Sequence, residues 1–185
     1  MKKHIITING FPGSGKSSTA KGVARKLQYE HFSSGDFFRE MAKARGLTVE
    51  EINFAAEKQK EIDFEVDNVL KKIGKEKNDM VIDSRLAFHW IPDSFKVFLD
   101  LEPKVAANRT FAQIQKEGRT SQSGQSIEEV LINTFKRRES EQKRYQDLYD
   151  VDINNKTRFD LVVDTGINDL KEVINIVTVE YQKWL

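Results

Sequence analysis

Apolar positions along the chain fall into two alternating patterns, short β-branched runs and stripes at three-to-four spacing. Ile5-Ile6-Thr7-Ile8 is a β-branched run closed by Asn9-Gly10, the pattern of a buried strand. Over 17–27, Ala20, Val23, Ala24 and Leu27 fall at helical spacing. A short strand is expected over 30–33. Ser34-Gly35-Asp36 then reads as a turn and cap before a helix over about 37–45, stopped by Gly46. Thr48-Val49-Glu50-Glu51 matches a capping box and opens a helical stretch to about residue 59. An amphipathic helix over about 62–77 follows, striped by Val66, Val69, Leu70 and Ile73.

The second half repeats the alternation. Met80-Val81-Ile82 is a strand ending at Asp83, and Lys96-Val97-Phe98-Leu99 is another. Pro103 suits the first turn of a helix reaching about residue 115. The polar stretch 118–124 reads as a mobile loop, with Gly118 and Gly124 as candidate hinges. Ser126-Ile127-Glu128-Glu129 is a second capping box, opening a long charged helix to about residue 149. Leu161-Val162-Val163-Asp164 is the last strand, and Leu170, Val173, Ile174 and Val177 mark the closing helix. Five strands alternating with helices call for one α/β domain with a parallel sheet and helices on both faces.

Composition narrows the function classes. The chain has 185 residues, 38% apolar and 32% charged, with 30 basic and 29 acidic side chains and a net charge of +1. That balance predicts a soluble protein with no polymeric nucleic acid or membrane as partner. There is no cysteine, which excludes disulfides, thiolate metal sites and cysteine nucleophiles, and fits a cytoplasmic protein. The basic start, Met1-Lys2-Lys3-His4, precedes an apolar run too short for a signal peptide, and no stretch approaches the ~20 apolar residues of a spanning helix.

The chemistry begins at Gly10-Phe11-Pro12-Gly13-Ser14-Gly15-Lys16-Ser17, which fits the P-loop pattern between a strand and a helix. Gly10, Pro12, Gly13, Ser14 and Gly15 let backbone N–H groups converge on phosphate oxygens, and the helix behind points its positive end at them. Lys16 supplies a mobile charge to the outer phosphates, and the Ser17 hydroxyl is a hard ligand for Mg²⁺. Ser18 and Thr19 follow as helix residues, with Ser18 close enough in sequence to count with the cradle. ATP and Mg²⁺ are therefore the expected ligands. Asp83, at a strand end, is the candidate carboxylate for the metal site, ahead of Asp36 and Asp100. Arg39, Arg85, Arg109, Arg119, Arg137, Arg138 and Arg144 fall at element ends or on the long helix. With a P-loop they suggest a second phosphate to be gripped.

Five blocks together resemble the nucleoside monophosphate kinases, and most closely the compact archaeal-type cytidylate kinases. They are residues 10–17, Ser34-Gly35-Asp36-Phe37-Phe38-Arg39, Glu61-Ile62-Asp63, Asp83-Ser84-Arg85-Leu86-Ala87, and 137–145 ending in Lys143-Arg144-Tyr145. The resemblance implies a single P-loop NTPase domain over 1–185, a three-layer α/β/α fold with sheet order 2-3-1-4-5. It also implies an acceptor-binding helical insert over about 36–78 and a lid over about 109–144. It implies that Ser34, Asp36, Arg39, Asp63, Arg85 and Glu141 bind the acceptor. Arg85, Arg137 and Arg144 would act with Lys16 on the transferring phosphate, and Arg109 would lie near the donor base or phosphates. Ser84 stands where the family often has Gly, and the loop over 118–125 is longer than the compact type leads one to expect. The Asp-Gly-Phe-Pro-Arg block of adenylate kinases is absent, which favours a pyrimidine acceptor. The expected activity is transfer of the ATP γ-phosphate to CMP or dCMP by a monomer. The rivals are an adenylate kinase, another small-molecule kinase, or an ATP-dependent switch. An acceptor phosphate needs no general base, and of His4, His31 and His89 the last, beside Trp90, reads as structural.

Overall fold

Every position of strand β1 (Ile5–Gly10) is buried, as expected of a parallel strand covered on both faces. The computed structural model of the chain describes residues 3–117 and 126–185. The expected loop over 118–124, its two glycines and Arg119 lie outside the described residues. After β1 come α1 (Lys16–Leu27), β2 (Glu30–Ser33), α2 (Ser34–Ala44), α3 (Val49–Ala56) and α4 (Lys60–Glu76). Then follow β3 (Met80–Asp83), α5 (Ala87–Trp90), β4 (Phe95–Asp100), α6 (Pro103–Glu117), α7 (Ile127–Tyr149), β5 (Leu161–Asp164) and α8 (Leu170–Trp184). The sheet is parallel with order β2-β3-β1-β4-β5, which is the P-loop three-layer arrangement.

Strand alternation sorts the core into two layers. Ile6, Ile8, Val81, Val97 and Leu99 pack with Val23 of α1 and Val177 and Tyr181 of α8. Ile5, Met80 and Ile82, each one position out of phase, face the other way against Leu70 of α4 and Ala87 and Ile91. Each fully buried aliphatic side chain stabilises the fold by ~1.5–3 kcal/mol. The α1–α8 contact is close: a Cβ on Gly22 would lie 2.2 Å from Ile174 Cδ1. Helices α2, α3 and α4 carry a small core of their own, with Met41, Ile52 and Ile62 buried together.

The Thr48 box is present in both directions, with Glu51 N–H donating to Thr48 Oγ1 at 3.1 Å and Thr48 N–H to Glu51 Oε2 at 2.7 Å. One reading needs correction. Helix α2 starts at Ser34, not at about 37, because the Ser33 hydroxyl already accepts the Asp36 N–H at 3.2 Å and so acts as the cap. The short helix α5 has no expectation behind it; four residues cannot show a period.

All five strands run in one direction, so their carboxyl ends share one edge. The order reverses on either side of β1, with β3 paired on one side and β4 on the other. Such an edge is where open α/β sheets bind ligands. Gly10, Ser33 and Asp83 all sit there, with Ser33 opposite Asp83 in register.

Candidate active site

The turn from β1 into α1 takes a conformation that lets the backbone approach an anion closely. Gly13 and Gly15 take φ of 83° and 85°, left-handed values that favour glycine. A Cβ on Gly13 would lie 2.7 Å from Ala106 O. Helices α2, α3, α7 and α8 are each closed by a side-chain cap. Helix α1 starts after Gly15 with no side-chain cap and no acidic residue in its first turn, and a Cβ at Gly15 would meet nothing within 4 Å. The positive helix end therefore faces open space suited to an anion. Lys16 Nζ folds onto the loop, donating to Gly10 O at 2.9 Å and Phe11 O at 3.0 Å. Burial, and then Arg85 nearby, hold its pKa well below the usual lysine value. A desolvated cation lacking a full counter-charge is what the oxygens of a triphosphate would satisfy.

Asp83, 4% exposed, stands beside this cradle. Burial would raise its carboxyl, but hydrogen bonds from His31, Ser33 and Ser17, with Lys16 nearby, bring it below the usual range. The Ser33 hydroxyl donates to Oδ1 at 2.8 Å, and His31 Nε2 lies 3.4 Å from Oδ2. Among the described residues no cluster of three or more His, Cys, Asp or Glu could hold a metal. Ser17 and Asp83 instead form a sparse hard-oxygen pair, which fits Mg²⁺, an ion that keeps waters and takes phosphate oxygens. The two weaker candidates are engaged elsewhere, Asp36 with Arg39 and Asp100 with Lys156.

Opposite the cradle, α7 presents charge on its buried face. Glu141, 4% exposed, lies between two guanidinium groups. Arg85 Nε donates to its Oε2, and Arg137 Nε to its Oε1 at 3.0 Å. Burial alone would push the Glu141 carboxyl up, but Arg85 and then Arg137 carry it down to about 2. One turn on, Arg144 Nε donates to Asp63 Oδ2 of α4 at 2.9 Å, and its Nη1 to Ser140 Oγ at 3.0 Å. Burial keeps Asp63 above the usual carboxylate range despite Arg144.

One cleft joins these groups. Pro12, Gly13, Lys16, Ser17 and Asp83 line its P-loop side. Arg85, Arg137, Glu141 and Arg144 line the α7 side, and Ser34, Arg39 and Asp63 the wall made by α2 and α4. Gly10 and Ser14 are in the loop itself, the Ser14 hydroxyl buried without a hydrogen-bond partner. Three expected residues stand apart. Ser18 is exposed on α1. The Asp36 carboxylate is taken by Arg39. Arg109 Nη2 donates to Thr165 O, after β5, at 2.8 Å. His89 packs against Trp90 and Tyr149, as a structural ring would.

A model for an AAA domain matches residues 9–128, from the end of β1 through the P-loop and beyond α6. The cytidylate kinase of Haloarcula marismortui is 37% identical over 175 residues, covering 93% of this chain and 86% of its own. That of Methanocaldococcus jannaschii is 35% identical over 175 residues, covering 94% and 95%. The chain belongs to the cytidylate kinase family. Its fold extends beyond the cytidylate kinases: a shikimate kinase from Bacteroides thetaiotaomicron superposes with a TM-score of 0.66 at 18% identity, covering 96% of this chain and 98% of that one.

Sequence reasoning left without a role some side chains that hold the residues of this cytidylate kinase site in place. His31 is one, although it shares a face of β2 with Ser33 two positions on, and Ser33 pairs with Asp83; strand alternation could have found it. Asp67 of α4 lines the same cleft. It is 2% exposed and accepts from Trp90 Nε1 at 2.8 Å and from the Tyr149 hydroxyl. Burial raises its pKa despite those bonds.

Proposed function

We propose that the chain is an ATP-dependent cytidylate kinase, transferring the γ-phosphate of ATP to CMP or dCMP and releasing ADP with CDP or dCDP. The observation that carries this reading is that two cationic stations meet in one cleft. The P-loop, with desolvated Lys16 and the uncapped α1 end, faces Arg85, Arg137 and Arg144 around Glu141. A switch that merely hydrolyses ATP has no use for the second station. The pyrimidine acceptor is inferred from the relatives.

The P-loop N–H groups and Lys16 would hold the donor phosphates, with Arg109 toward the donor base through the segment after β5. Ser17 and Asp83 would hold magnesium, which would supply positive charge to offset that of the phosphates. The helices over about 36–78 would form the acceptor wall, and the segment over about 109–144 a closing lid that excludes water. Ser34, Arg39 and Asp63 would receive the acceptor. Arg85 and Arg144 would grip its phosphate, and Glu141 would fix the arginines on either side of it. A monoester oxygen, already anionic, forms the new bond to the γ-phosphorus while the bond to the β–γ bridging oxygen breaks and its electron pair leaves with ADP. No proton need move, so positioning and charge neutralisation account for the catalysis.

The test is ADP release from Mg-ATP with CMP, dCMP, UMP, AMP or GMP, beside a control without acceptor. Stimulation by CMP or dCMP above the others is expected. Stimulation by AMP alone would make the enzyme an adenylate kinase. ADP release indifferent to every acceptor would overturn the kinase reading.

A further inference from the structure

Arg138 follows Arg137 on α7 but faces a different way. It is 8% exposed, and its guanidinium lies 4.6 Å from the ring centre of Phe11, a P-loop residue. Phe11 is in turn held edge-on by Phe135, one turn earlier on α7, at 5.8 Å. Arg138 Nη2 donates to the Asn154 side-chain oxygen. Its Nη1 is buried without a hydrogen-bond partner. A buried charged donor with no acceptor is costly, and a catalytic role is one of the reasons such a group is retained.

The other arginines of the cluster are engaged on the acceptor side. Arg85 and Arg137 share Glu141, and Arg144 is held by Asp63 and Ser140. Arg138 is near enough to Lys16 to depress it further. Burial, and then Arg85, lower Arg138 itself to about 10. Two cations thus approach one P-loop with too little negative charge between them. Stacking on Phe11 and the Asn154 bond hold the guanidinium beside the P-loop.

We propose that Arg138 is a further catalytic residue, whose Nη1 contacts the terminal phosphate of the donor before any acceptor binds. This rests on the ATP-dependent kinase reading and reassigns to Arg138 part of the role expected of Arg137.

The test compares binding of Mg-ADP with that of a magnesium complex of a non-hydrolysable ATP analogue, by calorimetry and without acceptor. The proteins are wild type, Arg138→Ala, Arg138→Lys and Asn154→Ala. Arg138→Ala should weaken the analogue by about tenfold or more while ADP stays within about twofold, the fold-change of one lost charge-assisted hydrogen bond. In turnover with the best acceptor, kcat should fall by about 10²–10³-fold, with Arg138→Lys recovering only part because it lacks the planar fork. Asn154→Ala, which removes only the anchoring bond, should keep the analogue-to-ADP preference. Equal losses for ADP and analogue, no loss in either, or the same loss in Asn154→Ala would make Arg138 a strut and overturn the proposal. If Arg138→Ala does not fold, Arg138→Lys carries the same comparison, with ADP affinity reporting an intact P-loop. The binding comparison needs no acceptor, so it stands or falls separately from the choice of CMP.

Discussion

Glu141→Gln removes one charge and almost no volume from the centre of the cleft. In the folded protein Arg85 and Arg137 hold the Glu141 carboxyl at about 2, against an ordinary value of 4.5. A depressed folded pKa contributes stability that is fully present above the unfolded value and is lost as pH falls through the folded one. The shift corresponds to about 3 kcal/mol at pH 7, at the lower edge of the ~3–5 kcal/mol seen when one partner of a buried ion pair is removed. Glutamine does not titrate. The gap between wild type and variant should be about 3 kcal/mol at pH 7, about 1 kcal/mol near pH 3, and absent only below about pH 1. Urea unfolding followed by circular dichroism at pH 7, 5 and 3 measures it. A gap that does not change with pH would refute the reasoning, since Glu141 would then act through packing alone.

Two further outcomes test the cradle and the acceptor station. Lys16→Ala should lower kcat by more than about 10²-fold without lowering Tm, because Lys16 is a desolvated cation whose removal relieves a burial penalty; near-normal turnover would remove the P-loop assignment. Arg85→Ala should raise the acceptor KM or lower kcat while ATP affinity changes by less than about twofold, as expected for a contact made on one substrate only. A defect confined to ATP would place Arg85 on the donor.

Much of this protein is legible from its sequence because the relevant signals are local. Ile5-Ile6-Thr7-Ile8 announces a buried strand, and the residues after it fit the P-loop pattern. Thr48 and Glu51 find each other across three residues. The start of α2 misled because Ser33 and Ser34 are both good caps, and only the placement of Ser33 beside Asp83 decides between them. The cluster on α7 is harder still. Its buried positions, Val130, Thr134, Arg138, Glu141 and Arg144, repeat at helical spacing but contain one apolar residue. Periodicity finds a buried face by its hydrophobicity, and here that face is ionic, so adjacent Arg137 and Arg138 look equivalent. What separates them is rotation about the helix axis, set by where Val130 and Thr134 pack. Arg137 thereby reaches Glu141 at the cleft, and Arg138 reaches Phe11 and the P-loop. A charged stripe at core spacing, on a chain that also carries an anion cradle, is therefore better read as the facing wall of the site than as a solvated surface.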